Sequence, residues 1–238
     1  MESSLHRALK NHYGSASGGC SEVFLEGYRI DAVDARGALI EIQSGPLGPL
    51  RTKLCKLLPR FPVRVVKPVV LARRVVRKRR LGGPDMSSRR SPKRGSLTDV
   101  FEDLVGLASL LPEQNLQVEL LAVSIDEVRV PRRQWPGYAV ADRRLLEILD
   151  TCSIETPSDL WKLLPDGHDW RAPFTTDDIA RRMGRPLWFA QRVAYCLRLS
   201  GAAREIGRRK HHRLYTGDRH VEIYPVKGFS ALRSDARL

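Results

Sequence analysis

The sequence predicts an α/β protein with a mixed sheet and flanking helices, followed by a mostly helical C-terminal part. Two alternating apolar and polar runs, residues 24–33 and 38–44, flank a turn-forming segment at 34–37. A leucine-rich helical pattern at 47–58 then precedes a β-branched run at 61–71. Strand, helix and strand in that order predict a crossover unit with parallel strands.

The N-terminal helices are predicted from their periodicity. Residues 3–13 form an amphipathic pattern that Ser3 or Ser4 could cap. In the helix at 47–58 the leucines fall on one stripe, which should pack on the sheet. Lys53 borders this stripe, so we expect its side chain to lean along the sheet edge, whereas Lys56 should point into water.

The middle of the chain contains its most basic stretch, residues 73–94, whose glycine- and proline-containing centre predicts a mobile basic loop. A helix at 98–111 and one or two strands at 116–130 follow. A proline- and glycine-containing segment then predicts a domain boundary, which gives domains of residues 1–136 and 137–238.

The C-terminal domain is predicted to contain four helices and two short strands. They span residues 142–150, 157–164, 175–182, 187–199, 203–206 and 213–216. The last part of this order, helix, turn, longer helix and basic β-hairpin, is typical of a winged helix. The tail after residue 228 is expected to be loosely held.

Composition restricts the class of partner. The 238-residue chain has 41 Lys and Arg against 27 Asp and Glu, a net charge of +14, which favours nucleic acid first and an anionic membrane second. No apolar stretch approaches the roughly 20 residues of a membrane span, and the N-terminus lacks a secretory signal. The scattered cysteines predict free thiols and a cytoplasmic protein. No phosphate-binding glycine loop is present, so no nucleotide cofactor is expected.

Asp31, Glu41 and Gln43 form the first candidate site. Strand side chains alternate between faces, so Glu41 and Gln43 point the same way. If the two runs pair as a hairpin, Asp31 lies near Glu41, and two carboxylates beside an amide suit a divalent metal. The alternative is that Glu41 and Gln43 are only the solvent face of an antiparallel hairpin.

The pattern Asp31, Glu41-Ile42-Gln43 and a following helix with Lys53 resembles the PD-(D/E)xK nuclease superfamily, which implies a restriction-endonuclease-like fold. The resemblance implies that Asp31 and Glu41 hold Mg²⁺ or Mn²⁺, with the backbone carbonyl of Ile42 as a further ligand. In this chain Gln43 stands where the superfamily has a lysine, and its amide can orient a water. The resemblance implies that Lys53 takes the role of that lysine.

Two other features bear on this resemblance. The superfamily's proline before the aspartate is absent, because Arg29 and Ile30 precede Asp31. An acid on a preceding helix often completes the superfamily site; Glu2 is the best candidate, with Glu22 and Glu26 as alternatives.

Most of the chain also resembles an uncharacterised bacterial family with a winged-helix-like C-terminal region. The shared motifs are G-Y-x-I-D, L-I-E-I-Q, K-L near Lys53, R-S-P-K-R-G at 90–95 and a stretch like residues 174–199. This resemblance implies no activity.

The candidate nucleic-acid contacts are the clustered cations and the exposed side of the second helix of the predicted winged helix. They are Arg73, Arg74, Arg77, Lys78, Arg79, Arg80, Arg89, Arg90, Lys93, Arg94, Trp188, Gln191, Arg192, Arg208, Arg209 and Lys210. The alternatives are a solvated basic loop and a winged helix that contacts protein.

These features together predict a metal-dependent DNA endonuclease that hydrolyses phosphodiester bonds and is targeted by the winged helix. One alternative is a catalytically inactive nuclease-fold protein that serves as a DNA-binding or regulatory protein. A second is an RNA- or protein-binding scaffold. A homodimer remains open.

Overall fold

The computed structural model describes residues 2–166 and 169–217, so the predicted C-terminal tail lies outside the described residues. The strands are β1 (Cys20–Leu25), β2 (Tyr28–Val33), β3 (Leu39–Ile42), β4 (Val63–Lys78), β5 (Asp85–Arg90), β6 (Leu116–Pro131), β7 (Tyr138–Ile154), β8 (Ala203–Arg209) and β9 (His212–Gly217). The α-helices are α1 (Ser4–Tyr13), α2 (Arg51–Leu57), α3 (Val100–Leu104), α4 (Thr176–Met183) and α5 (Leu187–Ser200).

A seven-stranded mixed sheet forms the centre of the fold, which confirms the predicted α/β class. Its strand order is β1-β2-β3-β4-β6-β7, with β5 added to β4. β2 and β3 are antiparallel, and β3, β4 and β6 are parallel. The crossover through α2 therefore has the predicted form.

Helices cover both faces of the sheet. Leucines of α2, aromatic and aliphatic residues of α3 and α5, and valines of β4 and β6 form the larger core cluster on one face. α1 covers the other face with Leu5 and Leu9, which pack on Ala32, Ile40 and neighbouring apolar side chains. The leucine stripe of 47–58 is buried as predicted, with Leu47, Leu54 and Leu57 fully inaccessible.

The first predicted strand is in fact two. Residues 24–33 are divided by a tight turn at Glu26 and Gly27, both of which have positive φ, and β1 pairs antiparallel with β2. The turn is only partly signalled in the sequence, because a glutamate occupies one of its left-handed positions.

The predicted helix at 142–150 is wrong, since these residues belong to β7. Its leucines are spaced as on a helix, but β7 pairs with β6 along almost its whole length, with three register shifts. The predicted boundary between residues 136 and 137 therefore falls in the turn between two paired strands of one sheet.

The predicted mobile loop within 73–94 is also wrong in part. β4 continues to Lys78, and after a turn the chain returns as β5, antiparallel to β4. The basic stretch is thus largely a β-hairpin that extends the sheet beyond its helix-covered part.

The C-terminal elements follow the predicted order from α4 onward. Thr175 and Asp178 form a capping box at the start of α4. Gly201 ends α5 in the left-handed conformation, and β8 and β9 form a two-stranded antiparallel hairpin. Within the described residues, no helix is long and apolar enough to cross a membrane.

Asp142 of β7 anchors the start of α1. Its two carboxylate oxygens accept hydrogen bonds from the Ser4 backbone N–H at 2.8 Å and the Ser4 hydroxyl at 2.6 Å. Burial alone would raise the pKa of Asp142, but these hydrogen bonds outweigh it and lower that pKa below its ordinary value. The carboxylate also lies at the positive end of the helix dipole.

Asp142→Ala should therefore lower the free energy of unfolding by about 1–2 kcal/mol at neutral pH. Because the folded-state pKa is depressed, this stabilisation is present above the unfolded pKa of about 3.9 and is lost as pH falls through the folded pKa. Urea denaturation at pH 7 and pH 3 should show the difference from wild type shrinking at low pH. Asp150→Ala, on the same strand and exposed, should change stability by less than about 0.5 kcal/mol. A loss for Asp142→Ala that is the same at both pH values would contradict the assignment.

Candidate active site

Asp31, near the end of β2, is held from two sides. Its Oδ1 lies 3.2 Å from His6 Nε2 on α1, and its Oδ2 accepts a hydrogen bond from the Ile42 backbone N–H at 2.9 Å. Burial alone would raise the pKa of Asp31, but the hydrogen bonds from His6 and Ile42 outweigh it and lower that pKa. Asp31 is therefore an ionised carboxylate fixed against the end of β3.

Glu41 of β3 is the most enclosed acid of the site. Its side chain is 6% exposed, and its Oε1 accepts a hydrogen bond from Lys53 Nζ of α2 at 2.5 Å. Burial raises the pKa of Glu41, Lys53 opposes this, and the negative charge of Asp31 raises it further. Asp31 accepts its backbone hydrogen bond from Ile42, the residue after Glu41, so the two carboxylates belong to the same end of the β2–β3 pair.

Lys53 lies where the helix pattern predicts. Its ammonium also donates to the Arg29 backbone carbonyl at 2.6 Å, so it bridges β2 and β3. Lys56 is exposed, with Nζ 5.5 Å from the ring centroid of Tyr28. The distinction between the two lysines is confirmed.

Gln43 takes a different position from the one expected for a water-orienting group. Its side-chain N–H donates to the Pro46 backbone carbonyl at 3.0 Å, and its backbone N–H continues the ladder to Val66. The amide is thus tied to the loop that leads to α2. Its contacts are local, whereas those of Lys53 join the two strands that carry the acids.

A network of alternating charges surrounds the Asp31 end of the site. Glu2 Oε1 lies 3.5 Å from His6 Nε2 and 2.8 Å from Lys10 Nζ. Lys10 also contacts Glu22 at 2.5 Å, and Glu22 contacts Arg29 at 2.6 Å. Glu2 is therefore linked to Asp31 through His6, and Glu22 joins the same network through Lys10. Glu26 is exposed and pairs with Arg60 instead.

Sequence reasoning missed His6 as a member of the site. The only available signal was its spacing, because Glu2, His6 and Lys10 recur every four residues and so share one side of α1. Its contact with Asp31 depends on how α1 packs on the sheet.

The oxygen donors fit a hard divalent cation only in part. The described residues contain no group of three or more His, Cys, Asp or Glu side chains arranged to hold a metal ion. Two carboxylates and a backbone carbonyl are nevertheless a donor set that Mg²⁺ accepts, because it keeps several waters and needs only one or two carboxylates.

The basic residues of 73–94 divide into two groups. Arg73, Arg74 and Lys78 are neutralised within the sheet by Glu127, Asp126 and Asp85, at 3.1, 2.7 and 3.0 Å. The others make no ion pair with any described residue and are exposed. They are Arg77, Arg79, Arg80, Arg89, Arg90, Lys93 and Arg94.

The second helix of the C-terminal part presents the predicted residues outward. Trp188 is 49% exposed, and Gln191 and Arg192 are exposed beside it. The Arg192 guanidinium lies 4.9 Å from the Trp188 ring centroid and also contacts Glu102 of α3 at 2.9 Å. Arg192 is thus partly neutralised by the body of the protein.

The hairpin β8–β9 carries the remaining predicted cations. Arg208 and Lys210 are exposed, and Lys210 takes positive φ at the tip. Arg209 lies 3.8 Å from Asp178 at the start of α4.

Comparison with known proteins assigns a family but no activity. A protein of Treponema pallidum (strain Nichols), described as uncharacterized, is 35% identical over 152 residues. The match covers 62% of this chain and 59% of the relative, so the chain spans less than two thirds of that protein. No solved structure matches. The family model described as "Domain of unknown function (DUF8091)" matches residues 3–155, and the chain therefore belongs to that family.

Proposed function

We propose that the protein is a metal-dependent DNA endonuclease that hydrolyses phosphodiester bonds. Its core would be of the PD-(D/E)xK, restriction-endonuclease-like type, with α4, α5, β8 and β9 as a winged helix. One observation carries the proposal: Asp31 of β2 accepts a hydrogen bond from the N–H of Ile42, the residue after Glu41 on β3, and the Lys53 ammonium donates to Glu41. Paired carboxylates and a cation are the groups that such hydrolysis uses.

Asp31 and Glu41, with the backbone carbonyl of Ile42, would hold Mg²⁺ or Mn²⁺. When bound, the ion would supply a nucleophilic water and neutralise charge on the phosphate. His6 holds Asp31 in place from α1, and the Ile42 N–H holds it from β3. Both contacts preorganise the carboxylate, and neither requires the ion.

Lys53 would supply the positive charge that Gln43 cannot. Its side chain is 13% exposed and its ammonium faces Glu41, so it can interact with a phosphate oxygen that approaches the same carboxylate. Gln43 is neutral and engaged with Pro46, so its contribution is expected to be small. Glu2, which contacts His6 and Lys10, would add negative charge beside the groups that surround Asp31.

Lys53→Met should therefore lower cleavage by about 10²-fold, as for the loss of one donor to a developing oxyanion. Gln43→Ala should lower it by less than about 10-fold, because the amide is tied to the loop. Lys56→Met is the matched control, since it removes an exposed lysine from the same helix. Initial rates of plasmid nicking test all three. A larger loss for Gln43→Ala than for Lys53→Met would reverse the assigned roles.

The experiment that tests the function is nicking of supercoiled plasmid by the full chain. Nicking is expected with Mg²⁺ or Mn²⁺ and not with EDTA. Equal nicking in EDTA would contradict a metal-dependent mechanism. No nicking with any metal, while DNA is still bound, would contradict catalysis.

That last result would favour a second candidate, a catalytically inactive nuclease-fold protein that serves as a DNA-binding or regulatory protein. The observation in its favour is that Lys53 already neutralises Glu41, and that no three-residue metal cluster exists among the described residues.

A further inference from the structure

Two hairpins end side by side at one end of the sheet. β4 and β6 are parallel, and Arg77 of β4 is the register partner of Arg129 of β6. The turns that follow, residues 79–84 and 132–137, therefore leave the sheet at the same end. We call these two turns together the twin-hairpin tip.

The twin-hairpin tip combines exposed apolar side chains with cations that make no ion pair with a described residue. Trp135 is 93% exposed and Leu81 is 65% exposed. Two arginines stand directly before Leu81, and two stand shortly before Trp135. None of these four makes an ion pair with a residue that the structure describes: Arg79, Arg80, Arg132 and Arg133.

An open cavity of about 610 Å³ lies between the two hairpins, directly behind the tip. Arg77, Arg89 and Arg129 line it, together with Met86 and Tyr138. The Arg129 guanidinium lies 3.9 Å from the Tyr138 ring centroid and is fixed by Glu127 at 2.5 Å. The walls therefore offer positive charge and a flat aromatic and guanidinium surface.

We propose that the twin-hairpin tip binds unpaired nucleotides, with Trp135 stacked on a base and the arginines on the adjacent phosphates. Aromatic platforms beside cations are the usual means of binding single strands, because every base has a π face and every nucleotide a charge. The inference rests on the proposed function and names its substrate class: DNA with a single-stranded segment, such as a bulge or an overhang.

An anionic membrane is the competing partner for exposed tryptophan and arginine. A surface that enters acyl chains needs contiguous apolar side chains. Here Leu81 and Trp135 lie in different turns, each turn also carries two arginines, and arginines line the cavity behind them. This arrangement favours nucleotides over lipid.

The test measures binding of the full chain in EDTA, by fluorescence anisotropy, to a paired duplex and to the same duplex with a four-nucleotide bulge. Wild type should prefer the bulged duplex. Trp135→Ala should weaken bulge binding roughly 5- to 150-fold with little effect on the paired duplex, the range expected for loss of one stacked base. Trp135→Phe should retain most of the preference. Phe24→Ala removes another exposed aromatic, 77% exposed on β1, and should change nothing.

Equal affinity of wild type for both duplexes would overturn the proposal, as would an equal loss on both with Trp135→Ala. Vesicles of phosphatidylcholine and phosphatidylserine distinguish the competing partner. Binding to vesicles that requires Trp135, with bulge binding unaffected by Trp135→Ala, would assign the tip to a membrane. The binding assay contains no metal, so a failure of cleavage does not affect its result. Plasmid nicking by wild type is measured separately, so an absent bulge preference would overturn this inference without contradicting the proposed nuclease activity.

Discussion

Asp31→Asn and Glu41→Gln should each lower metal-dependent plasmid nicking by about 10³-fold or more. Each variant removes one of the two charges expected to hold the ion, whose stabilisation of the transition state is several kcal/mol. Each 1.36 kcal/mol corresponds to a tenfold change in rate. Initial nicking rates over a range of Mg²⁺ and Mn²⁺ concentrations measure the loss.

The amide variants are chosen because they preserve the local hydrogen bonds. An asparagine oxygen can still accept from the Ile42 N–H, and a glutamine oxygen can still accept from Lys53. Asp34→Asn is the matched control on the same hairpin. Asp34 accepts from the Arg36 and Ala38 N–H groups of the turn, a role that asparagine can also perform.

Thermal unfolding of each variant should accompany the rates, since activity lost with the fold is uninformative. Full activity in both variants, with the wild-type melting temperature, would mean that the active site lies elsewhere or that a contaminating nuclease cuts the plasmid. Loss in Asp34→Asn equal to that in Asp31→Asn would indicate a general effect on the hairpin.

The sequence predicted the part of the fold in which local pattern and tertiary packing agree. The leucine stripe of 47–58 fits a helix and is also the face that the sheet buries. The same phase argument separated Lys53 from Lys56. These features depend on residues close in sequence, which periodicity can detect.

β7 shows where such reasoning fails. Leu145, Leu146, Ile148 and Leu149 have helical spacing, yet long pairing with β6 decides the structure. Three register shifts disturb the alternation of faces, so no clean strand pattern remains in the sequence. Tertiary pairing overrides local propensity here, as it does for β5.

The residues of the candidate site also fall into some that the sequence could place and some that it could not. Asp31 and Glu41 could be placed from the hairpin, because β2 and β3 are joined by a short turn. His6 could not, since its contact with Asp31 joins residues 25 positions apart through the packing of α1. The hydrogen bond from the Gln43 side chain to the Pro46 carbonyl also depends on the conformation of a loop, which periodicity does not predict.

The triple variant Arg79→Ala, Arg80→Ala, Arg89→Ala should weaken duplex DNA binding by about 10²- to 10³-fold near 0.1 M salt. Each phosphate contact contributes about 0.9 to the slope of log affinity against log salt. If all three arginines contact phosphate, the slope should become shallower by about 3. Anisotropy titrations at several salt concentrations measure both quantities.

These three arginines are informative because their side chains make no hydrogen bond or ion pair with any residue that the structure describes, so their removal should not disturb the fold. Arg74, by contrast, binds the buried Asp126 through two hydrogen bonds, and its loss would leave that carboxylate unpaired. A control with the same change of charge is available in Arg36→Ala, Lys56→Ala, Arg171→Ala, all exposed and outside the β4–β5 hairpin. If binding depends only on net charge, both triple variants should lose affinity equally. A loss confined to the first would assign phosphate contact to the β4–β5 hairpin, and with it the direction from which DNA approaches the sheet.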